Sequence, residues 1–350
     1  MQTTILSKTR CVILLFVIVA TTNSCSDREL LPMQLYLSRS VSKLPFVIAL
    51  DQGLYEKYGL DIEIKLEKLD FDGGISMPSK STWARIWRRI QSISGRNVTW
   101  DPDIYISGAN GQIVRSVQSA SAQTHVFLAA TDCVVSEYIV GRKGMERLEE
   151  LKGKRLGVSS MEGNSGYVAL LVSERMGWDP IQDISIMQHG NNIEALRAGR
   201  VDAIVASDRE YATAMHEGFP VLADMSTWDE PLAGNSVYVS PEWLREPDNR
   251  DVARRFLQAT VEGIALFHTN RDLALMVLKK WHGVTDPEYA KRIYEYGKWI
   301  PRKPYPCYAG IVKTMERYDS LEMRKYSSED FYDDSLLREL DESGFIDKFY

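Results

Sequence analysis

The chain has 350 residues, of which 44% are hydrophobic and 26% charged, and carries a formal net charge of −6. That balance is globular, with length enough for two lobes, and excludes collagen-like, coiled-coil and disordered chains. The acidic excess, with no basic stripe, argues against nucleic acid or an anionic membrane surface as partner.

At the N-terminus, Lys8 and Arg10 lead into the apolar run "CVILLFVIVA", Cys11 to Ala20. The run is too short to span a bilayer comfortably and has the form of a secretory signal. "TTNSC" then ends at Cys25. A small residue followed by Cys after such a run resembles the lipobox of bacterial lipoproteins, whose Cys becomes the lipidated first residue. Thr22 and Asn23 depart from the usual residues there. Ordinary cleavage near Ser24 without a lipid is the other reading. Residues 1–24 are therefore set aside as a signal peptide, with Cys25 as the expected lipidation site. Without them, 40 basic and 48 acidic residues remain, a net charge of −8. No later run is apolar and long enough for a membrane helix. Cys133 and Cys307 could pair in an exported protein, but nothing in the sequence brings them together, and unpaired thiols are the expectation. No Cys-x-x-Cys or His-rich spacing suggests zinc, and no cofactor is expected.

"MQLYLS" (Met33 to Ser38) alternates and predicts a strand. The apolar residues Phe46, Val47, Leu50, Leu54 and Tyr55 predict a helix ended at Gly59. "DIEIKLEKL" again alternates as a half-buried strand. Strand, helix, strand is one βαβ unit and implies a parallel pair. In "STWARIWRRIQSI", Trp83, Ile86, Trp87, Ile90 and Ile93 share one helical face. A core-facing helix with a solvated basic side is preferred there to an aromatic ligand platform. "DPDIYISGANG" (Asp101 to Gly111) reads as a short buried strand with a small-residue loop that lets backbone approach a ligand.

"HVFLAAT" and "SEYIVGRKG" predict two more strands, after which the pattern restarts. Strands follow at Arg155 to Val158, "DISIMQHG", "VDAIVAS" and "FPVLADM", with helices between them in "MEGNSGYVALLVSERMGW", "NNIEALRAGR" and "REYATAMHEG". "NSVYVSPEWL" (Asn235 to Leu244) reads as a return strand, and everything beyond it as helix. Helices need a sheet to pack on. The expected organisation is therefore a discontinuous lobe 1, residues 33–135 and 236–350, with lobe 2, residues 136–235, inserted. In such a fold the carboxyl ends of the strands surround a shared crevice where ligands bind.

The series "LPFVIALDQGLYEKYGLDIEI", "LEELKGKRLGV", "GNSGY", "MGWDP", "EALRAGRVDAIVAS" and "AMHEGFPVL" resembles the substrate-binding proteins of bacterial ABC importers. The branch it resembles binds nitrate, alkanesulfonates, taurine and thiamine-pyrimidine precursors. The resemblance covers most of residues 33–300. It implies an α/β, two-lobe type II periplasmic-binding fold, each lobe a mainly parallel sheet flanked by helices, with C-terminal helices added. It also implies a monomer that captures a small organic molecule, a sulfonate, an amine or a pyrimidine-like compound, between its lobes, closes on it and delivers it to an ABC permease from the periplasm or cell surface. One departure stands out: after Gly73 and Gly74 the chain carries an unusually long stretch before "DPDIYISG".

Carried over by position, the resemblance implies ligand-binding residues at several strand and helix ends. Leu44, Pro45 and Phe46 begin the first helix, and Gly108, Ala109 and Asn110 follow a first-lobe strand. Thr131 and Asp132 sit near the first crossing between lobes. Asn164, Ser165, Gly166 and Tyr167 open a second-lobe helix, whose free N–H groups suit an anion, although Asn164 or Ser165 could simply cap it. His189 and Asn191 end one second-lobe strand, and Ser207 and Asp208 another. A lone His is more often structural or exposed, and Asp208 could cap the helix after it. Asp132, Glu162 and Asp208 together could suit a cationic or amine-bearing ligand, while the scarcity of basic residues in these loops, Arg209 excepted, argues against a plain oxyanion and favours a neutral or zwitterionic ligand. The competing reading is an enzyme of the same fold acting on a pyrimidine-like metabolite. No Gly-x-Ser-x-Gly or His-Glu-x-x-His motif supports it. A ligand-sensing partner of a membrane receptor is a third reading.

Overall fold

The computed structural model describes residues 31–37, 40–66, 104–118 and 125–350. The signal sequence, Cys25, Gly73, Gly74 and the helix expected around residues 83–93 lie outside those residues.

The first strand, β1 (Leu31–Leu37), pairs in parallel with β2 (Leu60–Leu66), as the βαβ pattern requires. Met33, Leu35 and Leu37 are buried, alternate positions facing one core. The helical stretch between the strands is broken. Helix α1 (Leu44–Asp51), with Pro45 in its first turn, stops at Gln52, and α2 (Leu54–Lys57) follows a turn through Gly53. Leu44 to Ala49 are all buried, so α1 runs through the core rather than along its surface.

Next come β3 (Tyr105–Gly108), α3 (Ala109–Gln118) and β4 (Val126–Ala130). A strand from far along the chain, Asn235–Val239, lies between β3 and β4 and runs antiparallel to both. In between, the chain builds a second sheet from β5 (Tyr138–Gly141), β6 (Arg155–Val158), β7 (Ser185–Gln188), β8 (Ala203–Ala206) and β9 (Val221–Asp224). Its order is β7-β6-β8-β5-β9. Helices α4 (Asn164–Met176), α5 (Ile193–Arg197) and α6 (Asp208–His216) connect the strands, and the strand at Asn235 is β10. The α/β class expected from the sequence is the class observed, but the strand directions are more mixed than a mainly parallel sheet. β6 pairs in parallel with β7 and β8, whereas β5 is antiparallel to β8 and β9. The cause is local: β5 and β10 carry the chain into and out of the five-stranded unit with no crossover helix to reverse it.

The predicted return strand, 235–244, is shorter than its apolar pattern. Ser240 caps a helix by accepting from the Trp243 N–H at 3.0 Å, and Pro241 starts α7 (Pro241–Arg245). The remaining long elements are helices: α8 (Pro247–Thr269), α9 (Arg271–His282), α10 (Pro287–Tyr296), α11 (Tyr308–Arg317) and α12 (Ser335–Glu342). α8 packs on α1, with the Phe256 ring stacked between Phe46 and Tyr55 at centroid distances of 6.1 and 5.6 Å. The core built around β1 and β2 draws on residues from both ends of the chain, Met33 to Ile346, whereas a separate core spans Val135 to Leu232.

Cys133 and Cys307 form a disulfide, Cα to Cα 5.2 Å, which corrects the expectation of free thiols. The approach is made by α11. Gly310 sits so close to the backbone of Leu232 and Ala233 that a Cβ there would lie about 2 Å from it. Leu232 in turn donates its N–H to the Cys133 carbonyl at 3.0 Å. Only the packed helix brings residue 307 to the crossing.

Candidate functional site

Two antiparallel segments connect the sheets. Thr131 N–H donates to the Asn235 carbonyl, and Val135 N–H to the Glu230 carbonyl, each at 2.9 Å. Gly234 completes the second segment with φ +64°, and a Cβ on it would overlap the Asp132 carbonyl oxygen. Beside these crossings lies a cleft of about 470 Å³. It collects the end of β3, Gly111 and Arg115 of α3, the turn after β6, the start of α4, the start of α6 and the last residue of α10, Tyr296.

Of the residues singled out in the sequence, Gly108, Asp132, Asn164, Ser165, Asn191, Ser207 and Asp208 line this cleft. The others lie elsewhere, and each has a structural occupation. Leu44, Pro45 and Phe46 are buried in the first core. Ala109 is buried behind β3, donating its N–H to the Gly234 carbonyl at 2.7 Å. Asn110 is fully buried and accepts from the Thr314 hydroxyl at 3.0 Å. Thr131 belongs to the crossing ladder. Gly166 is pressed against the Met161 carbonyl. Tyr167 is fully buried, its hydroxyl donating to the Pro231 carbonyl at 2.9 Å. His189 is exposed, with φ +59° in the turn after β7.

The capping readings are corrected as well. Gly163 is the residue before the first turn of α4, so Asn164 and Ser165 are already helical, and no side chain caps that end. Ser165 Oγ instead accepts from the Ser159 N–H at 2.8 Å and shares a 2.7 Å hydroxyl contact with Ser159. Asn164 Oδ1 is buried in the cleft wall with no hydrogen-bond partner. Asp208 is likewise the first residue of α6 rather than its cap. One of its oxygens accepts from its neighbour Arg209 N–H, and the other from the Val41 N–H at 2.6 Å. This last bond joins α6 to a segment 167 residues earlier.

Glu162 is not among the cleft residues. Glu210 on α6 lines the cleft too, and so does a carboxylate that the sequence reading missed, Glu137 at the start of β5. It is buried and accepts the Ser136 N–H at 3.0 Å. Burial, reinforced by the charges of Asp132 and Asp208, pushes its carboxyl up to about 7. Burial likewise raises Asp132, opposed by hydrogen bonds from the Asn235 N–H and side-chain amide and by the nearby charge of Lys43. The phenol of Tyr296, on α10, is pushed well above its usual range by burial and then by Glu137, Asp208 and Asp132. Arg209, noted in the sequence as the basic residue of these loops, lines the cleft, and Asn235, Arg115 and Tyr296 were also missed as lining residues. Asn235 had a legible signal, since it opens the return strand opposite Asp132. Tyr296 had none, because an α10 aromatic at helical spacing looks like any core residue.

Residues 119–274 match the family described as "NMT1/THI5 like". No curated protein matches the sequence. Among solved structures, the chain is similar to the periplasmic nitrate-binding protein NrtA from Synechocystis PCC 6803. Identity is 13%, the TM-score is 0.68, and the match covers 90% of this chain and 89% of that one. It is also similar to the periplasmic aliphatic sulphonate binding protein SsuA from Escherichia coli, at 18% identity and TM-score 0.60, covering 82% and 85%. A Candida albicans protein described as having the generic periplasmic binding protein fold matches at 18% identity and TM-score 0.55, covering 89% and 95%. These similarities agree with the resemblance drawn from the sequence: the chain has the two-lobe periplasmic-binding fold, with an NMT1/THI5-like segment over residues 119–274.

Proposed function

We propose that this protein is the extracytoplasmic ligand-binding component of an ABC importer, capturing a small organic molecule between its lobes and presenting it to a permease. The observation that carries this reading is the cleft itself. Strand ends and helix starts from both sheets converge on about 470 Å³ beside a two-segment crossing, and the Val41–Asp208 hydrogen bond already ties its two sides together. That is the arrangement a hinge-closing receptor needs. The lobes would be residues 33–135 with 236–350, and 136–235. Gly108, Asp132, Asn164, Ser165, Asn191, Ser207 and Asp208 would contact the ligand, joined by Glu137 and Asn235. No turnover is ascribed to the site.

Export fits the disulfide, which persists in oxidising compartments. Residues 1–24 would be removed and Cys25 lipidated, tethering a monomer to the membrane. Among the described residues no helix is long and apolar enough to cross one. Intact-mass measurement of the exported chain tests the anchor: a diacylglycerol-sized increment on a chain starting at Cys25 supports it, and an unmodified terminus refutes it. Native mass spectrometry of the exported protein tests the function. The protein is incubated with a pool of amines, amino acids, pyrimidines, sulfonates and nitrate. One unchanged molecule retained per chain is expected. A chemically altered molecule would establish an enzyme instead, and nothing retained would remove the reading.

A further inference from the structure

The lobes are joined by more than the two crossing segments. Helix α11 lies against both crossings. The residue before it is tied to the first by the Cys133–Cys307 disulfide, and Gly310 presses on the backbone of Leu232 and Ala233 in the second. The Thr314 hydroxyl donates to Asn110 Oδ1 at 3.0 Å, which fixes α11 to the start of α3 in the first lobe. The far end of α11 reaches the second lobe. Arg317 covers the Tyr167 ring and pairs with Glu174, both on α4, and with Glu230. The Tyr318 hydroxyl donates to the Met161 carbonyl at 2.6 Å. The Tyr318 ring packs against two cores at once, the one spanning Val135 to Leu232 and the one that holds Ala109 and Ile311. On this flank the lobes also meet directly, since a Cβ on Gly108 would lie 3.2 Å from Asn164 Oδ1.

The flank beyond the cleft is held differently. There the start of α6 meets the first lobe through hydrogen bonds. Asp208 accepts from the Val41 N–H at 2.6 Å, and the Arg209 carbonyl accepts from the Tyr289 hydroxyl of α10 at 3.2 Å. Thr213 shares a 3.0 Å hydroxyl contact with the same Tyr289, and Ala212 adds one small side chain to the first core. When such groups part, water replaces their partners at little net cost. A disulfide does not part, and a nearly buried ion pair resists it. The cleft lies between the two flanks, lined by Gly111 and Asn164 on one side and by Asp208, Arg209 and Tyr296 on the other.

We propose that α11 is a fixed strut across the crossing, so that the lobes stay together along α3 and α4 and part along α6 and α10, opening the cleft on that flank alone. A hinge held at one edge moves most at the other. The inference takes the two-lobe arrangement from the binding-protein reading above and nothing about the ligand.

Pulsed electron–electron distance measurements on the ligand-free exported protein test this. Spin labels on ketone-bearing residues leave the cysteines alone. One pair replaces the exposed His216 on α6 and Lys291 on α10, and the other the exposed Ile181 after α4 and Val312 on α11. The α6–α10 pair should show two distances or one broad distribution, and the α4–α11 pair a single narrow one. Tyr289→Phe removes both hydroxyl contacts and should raise the long-distance share of the first pair about threefold or more, with the second unchanged and circular dichroism native. Movement of the first pair in either protein, with the second still, supports the strut. A broad α4–α11 distribution overturns it, as does an α6–α10 pair that is narrow and unmoved by Tyr289→Phe. If either result comes with a small molecule retained in native mass spectrometry, the binding-protein reading stands without the strut. If the asymmetry is found and no molecule is retained, the motion stands and that reading falls.

Discussion

At Glu137 a single carboxyl couples the cleft to pH. Its ordinary value is 4.5, and burial with two neighbouring carboxylates raises it to about 7 in the folded chain. Below 4.5 it is protonated whether the chain is folded or not, and its contribution to stability is fully present. Between 4.5 and about 7 the unfolded chain ionises first, so stability drains away as pH rises. A gap of that size is about 3 kcal/mol. Asp132, raised in the same direction, adds to the slope, while Lys43 beside it works against it. Urea unfolding of the ligand-free protein should therefore give a lower midpoint at pH 8 than at pH 5. Glu137→Gln should remove much of that difference, and an unchanged slope in the variant would mean that the carboxyl is not buried as described. At the neighbouring crossing, Gly234→Ala should cost several kcal/mol, because a methyl group would have to displace the Asp132 carbonyl and tolerate a positive φ. A melting temperature equal to that of the unmodified protein would contradict this.

Among the elements, α11 carries more than its sequence suggests. Arg317 at its end lies 4.2 Å above the Tyr167 ring, 2.7 Å from Glu174 and 3.2 Å from Glu230. Arg317 and Glu230 are nearly buried, and Tyr318 donates to the Met161 carbonyl at 2.6 Å. These contacts fasten the C-terminal helices to α4 and to the turn that precedes it. Arg317→Met leaves Glu230 buried with the more exposed Arg175, 3.5 Å away, as remaining cation. A loss of about 3 kcal/mol is expected, as for other broken buried pairs. Denaturant unfolding checks this, and a loss below about 1 kcal/mol would place the pair among surface ion pairs. Amphipathic spacing in "AGIVKTMERYDSL" announced this helix but not its partner, since a periodic pattern identifies a buried face without saying what covers it.

For the molecule as a whole, the disulfide closes a separation of 174 residues. Cross-links of that reach stabilise by about 2–5 kcal/mol, largely by restricting the unfolded chain. Cys133→Ser with Cys307→Ser, or reduction of the native protein, should lower the unfolding midpoint accordingly, and an unchanged midpoint would show that packing of α11 alone suffices. The alternation of "MQLYLS", the apolar run of "VDAIVAS" and the Gly-rich start of α4 were legible because local periodicity and turn chemistry depend on neighbours in the chain. So were the α/β class and seven of the cleft residues, which fall at strand ends and helix starts. The direction of β5 and β10, the burial of Leu44 to Phe46 away from the cleft, the Cys133–Cys307 pair and the entry of Glu137 and Tyr296 into the site were decided by tertiary structure alone. Each depends on groups tens to hundreds of residues apart being pressed together, and a charge or an aromatic ring gives no sign in the sequence of what will be packed against it.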